Sequence, residues 1–80
     1  QMIDTKGQSD SPIVDFIRKR RKHLGLTQRD MAEQAGVALL AVRNLEQGIG
    51  THRIDTVNKI LWLFGHELGP VPIKREAIDA

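Results

Sequence analysis

At 80 residues the chain is one small domain with a thin core. It has no cysteine, which excludes disulfides and thiolate metal sites and leaves a compact helical core or a partner chain as the source of stability. The net charge of +2 hides a concentration: residues 16–53 carry eight Lys/Arg against Asp30, Glu33 and Glu46, which fits either a polyanion partner or a solvated helix face.

The first ten residues are polar, with Gly7 and Ser9, and read as an N-terminal arm without apolar period. Gln1-Met2 suggests Met2 as the natural start, and the acidic, polar beginning predicts no secretory leader. Ser11-Pro12 is a helix start, because Ser11 can cap and Pro12 suits the first helical position. Ile13, Phe16, Ile17 and Leu24 follow at helical spacing, down to a stop at Gly25. Thr27 caps the next helix, with Asp30 as a short-acid capping box. Met31, Ala32 and Ala35 form its apolar face, and Gly36 ends it. A third short helix spans Leu39 to Glu46, and a glycine-punctuated loop follows from Gln47 to His52. The fourth helix runs from Ile54 to Phe64, with Ile54, Val57, Ile60, Leu61 and Phe64 on one stripe. Pro70 and Pro72 keep residues 66–72 from being helical, so an extended edge strand or a plain extended tail is expected there. Residues 73–80 form a tail, either a short helix or a frayed end. The chain has no run of about 18 apolar residues, so no transmembrane helix is expected.

Two short helices joined by a glycine turn suggest a helix-turn-helix. Ala32 and Ala35 allow a steep, close crossing, Val37 and Val42 fill it, and the second helix projects its N-terminal half toward a DNA major groove. The residues that carry a resemblance are Leu24-Gly25-Leu26-Thr27-Gln28, Met31-Ala32, Ala35-Gly36-Val37, Val42 and Glu46-Gln47-Gly48. Together they resemble the Cro/CI-type (XRE) helix-turn-helix family from Arg21 to Gly48, and more loosely as far as Gly65. That resemblance implies an all-α, lambda-repressor-like domain over residues 11–65. The fourth helix followed by His66-Glu67-Leu68-Gly69-Pro70-Val71-Pro72 is similar to the HipB-type antitoxin branch. In that branch a short C-terminal β-strand pairs across a homodimer and the partner is a HipA-type kinase toxin.

The resemblance places Leu39, Leu40, Arg43 and Asn44 against DNA bases. Leu39 and Leu40 depart from the family pattern, since neither forms a hydrogen bond; they touch thymine methyls, a protein partner or the arm. Arg43 takes a guanine bidentately or contacts a phosphate. Ala38 stands where the family usually has a capping Ser, a loss of about 1 kcal/mol. Thr27 and Gln28, at a helix N-terminus, and Arg29 beside them are candidate phosphate contacts. Thr27 also has capping as a role, Gln28 steadies the recognition helix in the family, and Arg29 has plain solvation as its alternative. Thr51, His52 and Arg53 resemble the family's second backbone clamp, with an ordinary polar loop as the alternative. The resemblance also implies that Arg21 and Glu46 form a partly buried structural ion pair, costlier to stability than to specificity if broken. Arg18 and Lys22 are expected to be solvated or to face a partner. Trp62, Leu68 and Val71 are the expected dimer contacts, with Trp62 alternatively flanking the core.

Catalysis is not expected. His23, His52 and His66 lack metal-ligand spacing, and no phosphate-cradling glycine loop follows a strand. No cofactor is expected. The function these readings imply is a cytoplasmic, DNA-binding transcriptional repressor acting as a homodimer on double-stranded palindromic DNA, in its most specific form an antitoxin that controls its own operon. The alternatives are a phage-type or general repressor without a toxin, and a protein-interaction module with weakened base readout.

Overall fold

The computed structural model describes residues 11–73; the expected arm at 1–10 and all but the first residue of the 73–80 tail lie outside the described residues. Four helices follow in order: α1 Pro12–His23, α2 Gln28–Ala35, α3 Leu39–Gln47 and α4 Ile54–Leu63. Helix α1 begins where Ser11 Oγ accepts from the Val14 amide at 3.2 Å, with Pro12 inside the first turn. Helix α2 packs against both α3 and α4, and α1 packs against α3.

The core draws on every helix. Val14 and Ile17 come from α1, Met31 and Ala32 from α2, Val42 and Leu45 from α3, and Val57, Ile60 and Leu61 from α4, with Phe64 closing the end. Ile17, Met31, Val42 and Ile60 are the largest side chains wholly removed from water, each worth about 1.5–3 kcal/mol of transfer free energy. Ala32 is buried and Ala35 and Val37 lie against the core, so the small residues sit where the two short helices approach. Phe16 meets Phe64 edge-on at 6.4 Å and the His66 ring at 4.7 Å, while the Arg20 guanidinium lies 4.9 Å above the Phe16 ring.

Two expectations from apolar spacing need correction. Ile13 and Leu24 are exposed, and Val14 takes the inner position at the start of α1. Ile54 opens α4 but stands 70% exposed, so the buried stripe starts at Val57. Residues 66–72, expected as an edge strand pairing across a dimer or as a plain extended tail, carry no regular secondary structure in the single chain. The segment is tied back instead, with the Leu68 amide donating to Asn58 Oδ1 at 2.7 Å and the His66 Nδ1 donating to the Phe64 carbonyl at 2.8 Å. A lone strand has no ladder partner, and Pro70 and Pro72 supply no amide hydrogens to recruit one.

Candidate nucleic-acid interface

The turn between α2 and α3 is residues 36–38. Gly36 adopts φ +74°, and the amides of Gly36 and Val37 both donate to the Ala32 carbonyl, at 2.9 and 3.0 Å. This left-handed stop redirects the chain after a single turn and aims α3 across α2.

Helix α3 divides sharply between held and free residues. Val42, Leu45 and Glu46 are buried. Leu40 is 65% exposed, Arg43 is exposed and Asn44 is half-buried. Neither the Arg43 guanidinium nor the Asn44 amide has a side-chain partner among the described residues. Leu39, expected beside Leu40 on the DNA face, lies partly buried against the core.

The buried end of α3 is held by Glu46. Arg21 bridges its carboxylate with Nε to Oε2 at 2.7 Å and Nη2 to Oε1 at 2.8 Å, and Gln28 Nε2 adds a bond to Oε1 at 3.1 Å. Arg21 also donates to the Leu26 carbonyl at 2.9 Å, which fixes the turn between α1 and α2. Arg18, expected to be solvated or to face a partner, instead turns to its own chain: its Nη2 donates to the Glu46 carbonyl at 2.6 Å, placing a cation on an orphan carbonyl in the last turn of α3. Burial alone would push the Glu46 carboxyl up. The hydrogen bonds from Arg21 and Gln28, with the charges of Arg21 and Arg18, outweigh burial and hold it below the ordinary glutamate range. The hydrogen bond with Glu46 raises Arg21 above its ordinary value against the opposing effect of burial. The family resemblance pointed to Arg21 with Glu46 but not to Arg18, whose acceptor is a backbone carbonyl. The only available signal was that Arg18 and Arg21 are three apart on one helix, hence neighbours on its surface.

A cleft of about 340 Å³ opens beside the free half of α3. Ala38 of the turn and Leu40, Ala41 and Asn44 of α3 line one side of it. Thr51, His52 and Arg53 of the following loop and Thr56 of α4 complete it. The structure thus brings Leu40 and Asn44 together with the three loop residues singled out from sequence, and adds Ala41 and Thr56. Arg53 makes an exposed pair with Asp55, Nε to Oδ1 at 3.0 Å. Thr27, Gln28 and Arg29 lie at the start of α2, with Thr27 engaged in its cap, Gln28 in the Glu46 bond and Arg29 exposed with no ion pair among the described residues. Trp62 is 57% and Val71 76% exposed, whereas Leu68 lies against the core of its own chain.

A short capped helix, a glycine turn and a second helix with a bare polar and basic face form the architecture of a major-groove reader. A helix-turn-helix family model matches residues 17–65, more than half of the chain, and the protein belongs to that family, in its XRE-type form. It is a DNA-binding transcription regulator at that level of description. No curated protein and no solved structure matches the chain. No helix among the described residues is long and apolar enough to cross a membrane.

Proposed function

We propose that the chain is a sequence-specific transcriptional repressor that binds a near-palindromic operator as a homodimer. The observation that carries this reading is the division of α3, where Leu40 stands largely exposed and the Arg43 and Asn44 side chains have no hydrogen-bonding partner among the described residues, while Glu46 locks the opposite end. Each copy lays the N-terminal half of α3 in a major groove, with half-sites about one helical turn or a multiple apart. Arg43 takes the guanine contact, and Thr27, Arg29, Thr51, His52 and Arg53 contact phosphates. The two-fold contact involves Trp62 and Val71, which are exposed in the single chain, with residues 66–72 pairing as a strand once a second copy supplies the ladder. In its most specific form the protein is an antitoxin that represses its own operon and binds a HipA-type kinase toxin; the support for that form is the resemblance of residues 66–72.

Fluorescence anisotropy of the full chain tests the reading, using a duplex from upstream of its own gene and a scrambled duplex across a salt series. The expected result is tight binding to the upstream duplex alone, weakening with salt by about 0.9 log units per log salt for each phosphate neutralised, and abolished by Arg43→Ala. Weak, salt-erased binding that is equal on both duplexes overturns it. That outcome favours the second reading, a protein-interaction module, for which the exposure of Leu40 is the supporting observation.

A further inference from the structure

The cleft beside α3 combines features that select one kind of base pair. One wall is apolar, from Ala38 of the turn and Leu40 and Ala41 of α3, yet it also holds the Asn44 amide, half-buried and without a hydrogen-bonding partner among the described residues. Leu40 and Asn44 are four apart, so they lie one above the other on the same helix face. A partly buried amide with nothing to bond calls for an outside partner.

The edges of the bases in a major groove differ in what they offer. Only thymine presents an apolar group, its C5 methyl. Adenine presents one donor and one acceptor, N6–H and N7, which a carboxamide matches with its own acceptor and donor. Guanine presents two acceptors and asks for two donors, which Asn44 cannot give in one orientation but a guanidinium can. Cytosine presents a donor that Leu40 would strip of water and leave unbonded. Resting on the DNA-binding reading above, we propose that this cleft is an A·T-specific subsite: Leu40 and Ala41 cover a thymine methyl, and Asn44 bonds the N6/N7 edge of an adenine. Leu40 is thereby a specificity-determining residue that works by shape and dryness, and Arg43, outside the cleft lining, is left for the guanine.

The test starts from a random-sequence duplex pool selected on the full chain. The enriched duplex is then remade with deoxyuridine at each thymine in turn and with 7-deazaadenine at each adenine in turn. One thymine per half-site is expected to lose about fourfold in affinity on removal of its methyl. One adenine is expected to lose roughly tenfold on removal of N7. Leu40→Ala should weaken binding to the unmodified duplex and become indifferent to deoxyuridine; Asn44→Ala should become indifferent to 7-deazaadenine. Leu40 is mostly exposed, so its replacement leaves the fold in place. An enriched site insensitive to both modifications overturns this inference and leaves DNA recognition standing, as does a Leu40→Ala protein that keeps the full deoxyuridine penalty. A pool that yields no enriched sequence overturns both readings together.

Discussion

Helix α2 begins with Thr27 Oγ1 accepting from the Asp30 amide at 2.9 Å and Asp30 Oδ2 accepting from the Thr27 amide at 3.0 Å; α3 begins at Ala38 with no side-chain bond at all. Their other ends match, since Gly36 and Gly48 both take left-handed φ values near +70°, at 74° and 72°. Two helices of nearly equal length, eight and nine residues, are therefore stabilised in opposite ways. Helix α2 is started by its own sequence. Helix α3 is held from its far end, where Arg18, Arg21 and Gln28 converge on Glu46. The helix with the weaker local start is the one that the fold anchors from its far end.

The contrast can be broken most directly at Glu46. Glu46→Ala leaves Arg21, 12% exposed, without its carboxylate and should cost about 3–5 kcal/mol. Urea denaturation measures this, and a loss below 1 kcal/mol would show that α3 needs no far anchor.

Acid should loosen the same anchor. Glu46 has a lowered native value, so its contribution is fully present at neutral pH, above the ordinary glutamate range near about 4.3. It is lost as the pH falls through that range toward the native value. Asp30, lowered chiefly by the Thr27 backbone hydrogen bond, acts in the same direction. Urea midpoints between about pH 3 and 7 should fall on acidification in the parent and less so in Glu46→Gln.

Smaller effects sharpen the comparison by exchanging the helix starts. Thr27→Ala gives α2 the beginning that α3 has and should cost about 1 kcal/mol. Ala38→Ser gives α3 the missing cap and should add up to about 1 kcal/mol, seen as a raised thermal midpoint. Equal responses of the two helices in native-state hydrogen exchange would erase the distinction drawn between them. Least of all, Arg53→Ala removes an exposed pair with Asp55 and should leave the thermal midpoint nearly unchanged while reducing the salt slope of DNA binding.

The elements most legible in the sequence are those with local signals. Ser11-Pro12, Thr27 with Asp30, Gly36 and the uncapped Ala38 each carry their meaning within one turn, and all four appear in the helix boundaries. Which edge of a helix faces inward was less legible. Helix α1 offers apolar residues at 13, 14, 16 and 17, a band wide enough to turn either way, and the choice of Val14 over Ile13 comes from packing against the other helices. Leu39 and Leu40 are the same residue type side by side, so composition cannot tell the one against the core from the one in the cleft. The cleft itself joins α3 to the loop and to Thr56 across the fold, and no local pattern marks such a meeting. The hold on residues 66–68 was equally hidden, because Asn58 bonds a backbone amide there that any residue type would supply.

The split along α3 also bears on how such proteins diverge. Val42, Leu45 and Glu46 face inward, while Leu40 is largely exposed and the Arg43 and Asn44 side chains make no hydrogen bond or ion pair among the described residues. Substitutions at the outward positions should each change stability by no more than about 0.5 kcal/mol. A duplicated gene can therefore acquire a new target by point changes at 40, 43 and 44 without compensating mutations elsewhere. Its two products would then drift apart in the sites they occupy long before they differ in how well they fold.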